Sequence, residues 1–130
     1  MITSATVRYG LLAAAYIARH KEQGIILSQT IAKEYNIPLE YLLKIMQQLV
    51  RANILRSKRG PRGGFYLARP AAKITMLDVI EAVEGPMVRP LGLKENAPKD
   101  KFSTKAEQAY GKVIAHTRDE LKKVKLSDLI

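Results

Sequence analysis

The chain contains no cysteine and no tryptophan, and only two histidines in 130 residues. Without thiols there are no disulfides, no thiolate metal sites and no cysteine nucleophile. His20 and His116 are far apart, and neither sits at ligand spacing from another donor. A zinc site and a histidine-based catalytic triad therefore lack support, and a surface or packing role is the simpler reading of both rings. No apolar run reaches the roughly 18 residues that a membrane-spanning helix needs. Residues 1–8 lack the basic-then-apolar layout of a secretory signal, so the expected location is the cytoplasm. No nucleophile–base pair or cofactor fingerprint stands out, so an enzyme is not expected, nor a cofactor or metal. The acids Asp119 and Glu120 are neighbours on a helix, point in different directions and are simply solvated. The glycine-rich basic stretch Arg59–Gly64 does not fit a phosphate-binding loop, which requires G-x-x-x-x-G-K-[ST] followed by a helix.

Acidic residues are also scarce where it matters. Residues 1–70 carry eleven Lys or Arg against three Asp or Glu, whereas residues 71–130 carry eleven against nine. The net charge of +10 thus belongs mainly to the N-terminal half. A basic half on a small domain points to a polyanionic partner, most often nucleic acid. Apolar content of 47% suits a single globular unit rather than a disordered chain.

Hydrophobic periodicity divides the chain into a short series of elements. A first helix is predicted from Ser4 to His20, with Val7, Leu11, Ala14 and Ala18 on its buried stripe. Ser28 is predicted to cap a short helix, Gln29–Tyr35, which Asn36 ends in a left-handed conformation. Pro38 suits the first turn of a third helix running to Ala52. Leu42, Ile45, Met46 and Leu49 form its buried seam, which leaves Glu40, Lys44, Gln47, Gln48 and Arg51 outside, with Tyr41 and Leu43 at the flanks. Two short runs around Arg59–Gly64 read as a β-hairpin. Thr75 and Asp78 open a helix that stops at Gly85 and Pro86. Residues 86–103 read as a linker. Thr104 and Glu107 form a capping box for a last helix over 104–124, with residues 125–130 as a tail. Ala106, Tyr110, Val113, Thr117, Leu121 and Val124 recur at nearly coiled-coil spacing, so pairing with a second copy is expected.

The fold class expected is therefore mainly α with a small β-hairpin wing: a winged helix-turn-helix over residues 1–85, plus a long C-terminal dimerisation helix. In such a motif the second helix enters the major groove and meets base edges with its first turn. The hairpin carries Arg56, Lys58, Arg59, Arg62 and Arg69 with no acid among them. A thin cationic ribbon of this kind suits a narrow minor groove, where negative potential concentrates. Gly60, Gly63 and Gly64 let its backbone approach another surface.

Several segments together resemble the IscR/CymR/NsrR-type (Rrf-two) family of bacterial regulators. They are Arg8-Tyr9-Gly10-Leu11, Ile37-Pro38 with Tyr41-Leu42 and Lys44-Ile45, and the hairpin run from Arg59 to Ala68. Thr75 to Pro86 and the ending Leu126-Ser127-Asp128-Leu129 extend the match over nearly the whole chain. The resemblance implies a homodimeric transcription factor, usually a repressor, that binds an inverted repeat in double-stranded DNA. It implies phosphate positioning by Ser28 and Gln29, base reading by Glu40, Tyr41 and Lys44 at the start of the third helix, and minor-groove insertion of Arg59. Lys58, Gly60, Arg62 and Gly63 surround that arginine. Pro38, Gln48 and Arg51 of the third helix are further candidates for DNA contact. Many relatives hold an iron–sulfur cluster on three cysteines between the fourth helix and the long helix. The corresponding residues 86–102 here contain none, so this chain has no thiolates for a cluster. The regulatory input stays open between a partner protein, a small-molecule ligand and no signal. A winged protein-interaction module that acts without touching DNA is the alternative reading.

Overall fold

The computed structural model describes residues 4–59 and 64–130. Helix α1 (Ala5–Arg19) starts where the Ser4 hydroxyl accepts from the Val7 N–H at 3.3 Å. Its apolar face, including Val7, Ala13, Ala14 and Ile17, is buried. Helix α2 (Ser28–Tyr35) begins one residue earlier than the sequence suggests, and Ser28 is not its cap. Leu27 occupies that place in an extended conformation and offers no side-chain acceptor. The reason lies upstream: Ile26 is paired with Phe65 of the hairpin, so the chain enters α2 directly from a strand-like segment. Asn36 is left-handed (φ 54°, ψ 49°), as expected of a helix terminator.

Helix α3 (Leu39–Arg51) is capped by Pro38, which stands just before the first turn rather than inside it. Leu42, Ile45, Met46 and Leu49 are all buried. Fully burying one such side chain stabilises the fold by roughly 1.5–3 kcal/mol, so this seam anchors α3 firmly to the core. Strands β1 (Leu55–Lys58) and β2 (Gly64–Leu67) pair antiparallel, with Leu55 opposite Leu67 and Lys58 opposite Gly64. Leu55 and Phe65 point into the core while Arg56 and Lys58 stay in water. Phe65 and Ile26 exchange two backbone hydrogen bonds of 2.9 Å, which adds a third edge to the wing.

Helix α4 (Met76–Glu84) has the capping box expected of Thr75 and Asp78 and ends at Gly85, whose φ of 87° requires a glycine-like residue. It packs against α1 and α3 to close the core. The linker differs from expectation. It contains a helical turn, α5 (Leu93–Asn96), and the last helix, α6 (Lys101–Lys123), starts at Lys101 with Asp100 as its cap. Glu107, expected in a capping box with Thr104, instead accepts from the Leu91 and Leu93 N–H groups at 3.0 Å each. The folded-back linker supplies backbone donors that need an acceptor, and Glu107 is spent on them. Beyond α6 the chain returns to the winged unit: Leu126 donates its N–H to Ile74 and is itself buried.

Candidate nucleic-acid interface

The outward face of α3 carries Glu40, Lys44, Gln47 and Arg51, all exposed. Beside them runs a groove of about 570 Å³ lined by Tyr41, Lys44, Gln47, Gln48, Arg51 and Thr6. The structure thus brings together most of the residues the sequence singled out on this helix. Glu40 is exposed at its first turn, where a carboxylate is favoured by the helix dipole, and it does not line the groove. Two cations and two amides around one groove, with no acid among its lining, form a surface suited to phosphates and base edges.

Position and orientation of α3 depend on contacts that the sequence does not reveal. The Tyr41 and Thr6 hydroxyls share a hydrogen bond of 2.6 Å. The Tyr41 ring stands edge-on to Tyr9, with centroids 5.6 Å apart, and Arg8 lies over the other aromatic partner, 5.9 Å from the Tyr9 centroid. The start of α1 therefore borders the groove on α3, although no local pattern near Thr6 announces a contact with a residue so distant in the chain. Helix α2 is fixed similarly: Arg19 donates to the Tyr35 hydroxyl at 2.6 Å, and Tyr35 meets Tyr16 edge-on. His20 stacks on Tyr16, which gives it a packing role. Ser28 is half-buried and Gln29 exposed at the start of α2. With Leu27 as cap, the first N–H groups of this helix have no side-chain acceptor, the arrangement that anions exploit.

On the wing, Arg56, Lys58 and Arg59 are exposed, and none forms a salt bridge among the described residues. Gly60, Arg62 and Gly63, expected at the tip, lie outside the described residues. Arg69, read with the wing cations, has a structural task instead. It donates to the Asn53 and Lys73 carbonyls at 3.1 and 2.6 Å and lies 3.5 Å from Asp78. The guanidinium is thereby tied to the base of the hairpin and to the start of α4.

The seam expected on α6 divides in two. Leu121 packs against the protomer's own core, and Arg118, one turn earlier, makes a two-pronged contact with Glu81 of α4, each arm 3.1 Å. That contact, more than any other influence, holds the Glu81 carboxyl below its ordinary value. The Glu107 carboxyl is likewise lowered, first by the Leu93 N–H. Toward the N-terminal end the helix is open: Val113 is 62% exposed and Phe102 68%. Phe102, Ala106, Ala109 and Val113 follow one another at steps of four, three and four, so they share one face. Phe102 escaped the sequence reading because the helix was expected to start after it. Tyr110 and Thr117 are half-buried beside this face, and the Thr117 hydroxyl donates back to the Val113 carbonyl at 2.9 Å.

Comparison with known proteins agrees with this architecture. Residues 3–130 match the Rrf2 family model, described as an iron-dependent transcriptional regulator. An HTH-type transcriptional regulator of Aquifex aeolicus is 44% identical over 81 residues, which is 62% of this chain and 56% of that relative. The matched segment thus spans little more than half of that relative's length. Among solved structures, CymR, the global cysteine regulator of B. subtilis, superposes with a TM-score of 0.81 at 25% identity, covering 99% of this chain and 95% of that one. Staphylococcus aureus CymR superposes with a TM-score of 0.75 at 32% identity, covering 97% and 95%. The iron in the family description finds no matching donor set here. The chain has no cysteine, and among the described residues no three His, Asp or Glu side chains gather as metal ligands. The relatives are regulators and not enzymes, and the winged fold, its basic N-terminal half and the match along its length place this chain in the Rrf2 family of DNA-binding transcriptional regulators.

Proposed function

We propose that the protein binds an inverted repeat in double-stranded DNA as a homodimer, represses transcription there, and does so without an iron–sulfur cluster. The observation that carries this reading is a run of cations on two adjacent elements, none of them in a salt bridge among the described residues. Lys44 and Arg51 line the groove on α3, Arg56 and Lys58 follow on the strand that packs directly against it, and Arg59 stands just past that strand's end. Unpaired surface cations in such density are costly in mutual repulsion unless a polyanion neutralises them. In this reading α3 enters the major groove with Tyr41, Lys44 and Gln48 toward base edges, while Ser28 and Gln29 hold phosphate. The wing places Arg59 in the minor groove. The open face of α6 pairs with its copy and sets the spacing of the two reading heads. The cluster-free reading rests on the absence of thiolates and on the use of Glu107 as an acceptor for linker amides.

The test starts from DNA selected out of a random pool by the purified protein. Replacing Lys58 and Arg59 together by Ala is expected to weaken binding to the selected site by tenfold or more, on the order of 1–3 kcal/mol. The slope of log affinity against log salt should fall by about 0.9 for each phosphate that the variant no longer neutralises. Unchanged affinity and slope in the double variant remove the wing from the mechanism. An operator-driven reporter then tests repression.

A further inference from the structure

The surface holds a second concavity that the DNA-binding reading does not use. It is a cleft of about 1100 Å³ between the C-terminal end of α1, the two strands of the wing and the turns near residues 71–72 and 127–130. Its apolar walls include Ile17, Ala18, Leu67 and Ala71. Lys21 and Lys58 stand in its lining with Arg69, and no acidic side chain is among the lining residues. Arg69 is partly offset by Asp78, so the two lysines supply most of the free charge. Pockets of several hundred cubic ångströms with apolar walls and a few placed polar groups are the usual form of a small-molecule site.

We propose that this cleft is an effector site for a small organic anion with an apolar body, of the aryl or medium-chain carboxylate class. The carboxylate would meet Lys21 and Lys58, and the hydrocarbon would cover the half-buried Leu67 and Ala71. Three other occupants suit it less well. A phosphodiester would leave the apolar walls uncovered. A second copy of this chain carries +10 itself and would bring like charge to the lysines. A free cation is repelled by Lys21, Lys58 and Arg69. The regulatory half of the proposal rests on the DNA-binding reading. Lys58 belongs both to the cleft and to the wing, so an anion bound there neutralises one of the cations the wing offers to phosphate. Ligand and operator then compete for the same charge.

The probe is 8-anilinonaphthalene-1-sulfonate, an anion with an apolar body, titrated by fluorescence into the full chain. One dye per chain is expected, displaced by octanoate but not by octylamine. Lys21→Glu reverses a lining charge, and Ala72→Trp fills the cleft from an exposed position. Each is expected to weaken dye binding by about tenfold or more, with melting temperature as the check that both variants fold. Absent binding, equal binding in both variants, or equal displacement by octylamine overturns the proposal. Operator affinity is measured in the same samples by fluorescence anisotropy. Saturating octanoate is expected to weaken it by about fivefold or more in the native chain and to leave Lys21→Glu unaffected. Octanoate that binds the cleft without changing operator affinity overturns the regulatory half. Failure of the unliganded chain to bind any DNA overturns the earlier reading, while the dye titration still decides the cleft.

Discussion

A Cβ on Gly64 would lie 2.6 Å from the carbonyl oxygen of Ile26. The same added carbon would be 2.5 Å from Ile25 Cγ2. The wing is thus seated by a backbone-to-backbone approach that admits only hydrogen at this position, one residue before the Phe65–Ile26 bonds. Gly64→Ala must push the two segments apart or break those bonds. A loss of about 1–3 kcal/mol in folding stability is expected from such overpacking, measured by urea denaturation. Operator affinity should fall as well, because Lys58 pairs with Gly64 across the ladder. Native stability in the Ala variant would mean that the wing is not held on Ile26.

The Thr6–Tyr41 hydrogen bond makes a different prediction. Both hydroxyls are at the surface, so Thr6→Val or Tyr41→Phe should cost little stability, at the low end of about 0.5–1.5 kcal/mol. Each should instead loosen the start of α3 on α1 and weaken DNA binding by a few-fold. Neither variant removes a cation, so the salt slope should stay as it is. If one bond carries the effect, the double variant should be no worse than the stronger single one. Additive losses would show that the two hydroxyls act separately.

The elements of this fold were legible in the sequence wherever the signal was local. The seam Leu42, Ile45, Met46 and Leu49 repeats at helical spacing, and all four are buried. Thr75 and Asp78 are three residues apart and form the box that this spacing announces. What escaped the sequence depended on partners far along the chain. Leu27 caps α2 because Ile26 is paired with Phe65, and Glu107 leaves its expected box because linker amides compete for it. Arg69 looks like one more wing cation until Asn53, Lys73 and Asp78 are seen around it. The candidate site followed the same rule. The exposed side of α3 could be read from its periodicity, whereas the anchoring of Tyr41 by Thr6 could not.

The Glu81–Arg118 contact gives a pH dependence of known sign. Arg118 holds the Glu81 carboxyl below its ordinary value of 4.5, with the Met87 N–H adding to the effect against the cost of burial. A carboxyl lowered in the folded state stabilises the fold fully above the unfolded value. That stabilisation is lost as the pH falls below 4.5 and through the folded value. The melting temperature of the native chain should therefore drop more between about pH 5 and pH 3 than that of Glu81→Gln, which has no proton to gain. At neutral pH the Gln variant should be the less stable of the two. Parallel curves for both proteins would show that the pair contributes nothing to holding α6 on α4.

The open face of α6 sets the last expectation. Among the described residues Phe102 and Val113 are two of the most exposed large apolar side chains, and they share a face with Ala106 and Ala109. Leaving that stripe in water forfeits burial, at roughly 25 cal/mol per Å² of apolar surface, that a paired helix would recover. Val113→Glu introduces a charge into the stripe, and in a pairing of two copies it brings like charges close together. Because Val113 is mostly exposed in the protomer, the variant should keep its melting temperature when measured at a concentration where the native chain is monomeric. Sedimentation equilibrium is expected to show a dimer for the native chain and a monomer for the variant. Binding to an inverted repeat should fall by about a hundredfold or more, since two linked reading heads gain on that order over one. Binding to a single half-site should be unchanged, which separates loss of pairing from damage to the reading surface. A Val113→Glu chain that still sediments as a dimer would place the contact between copies elsewhere than on this stripe.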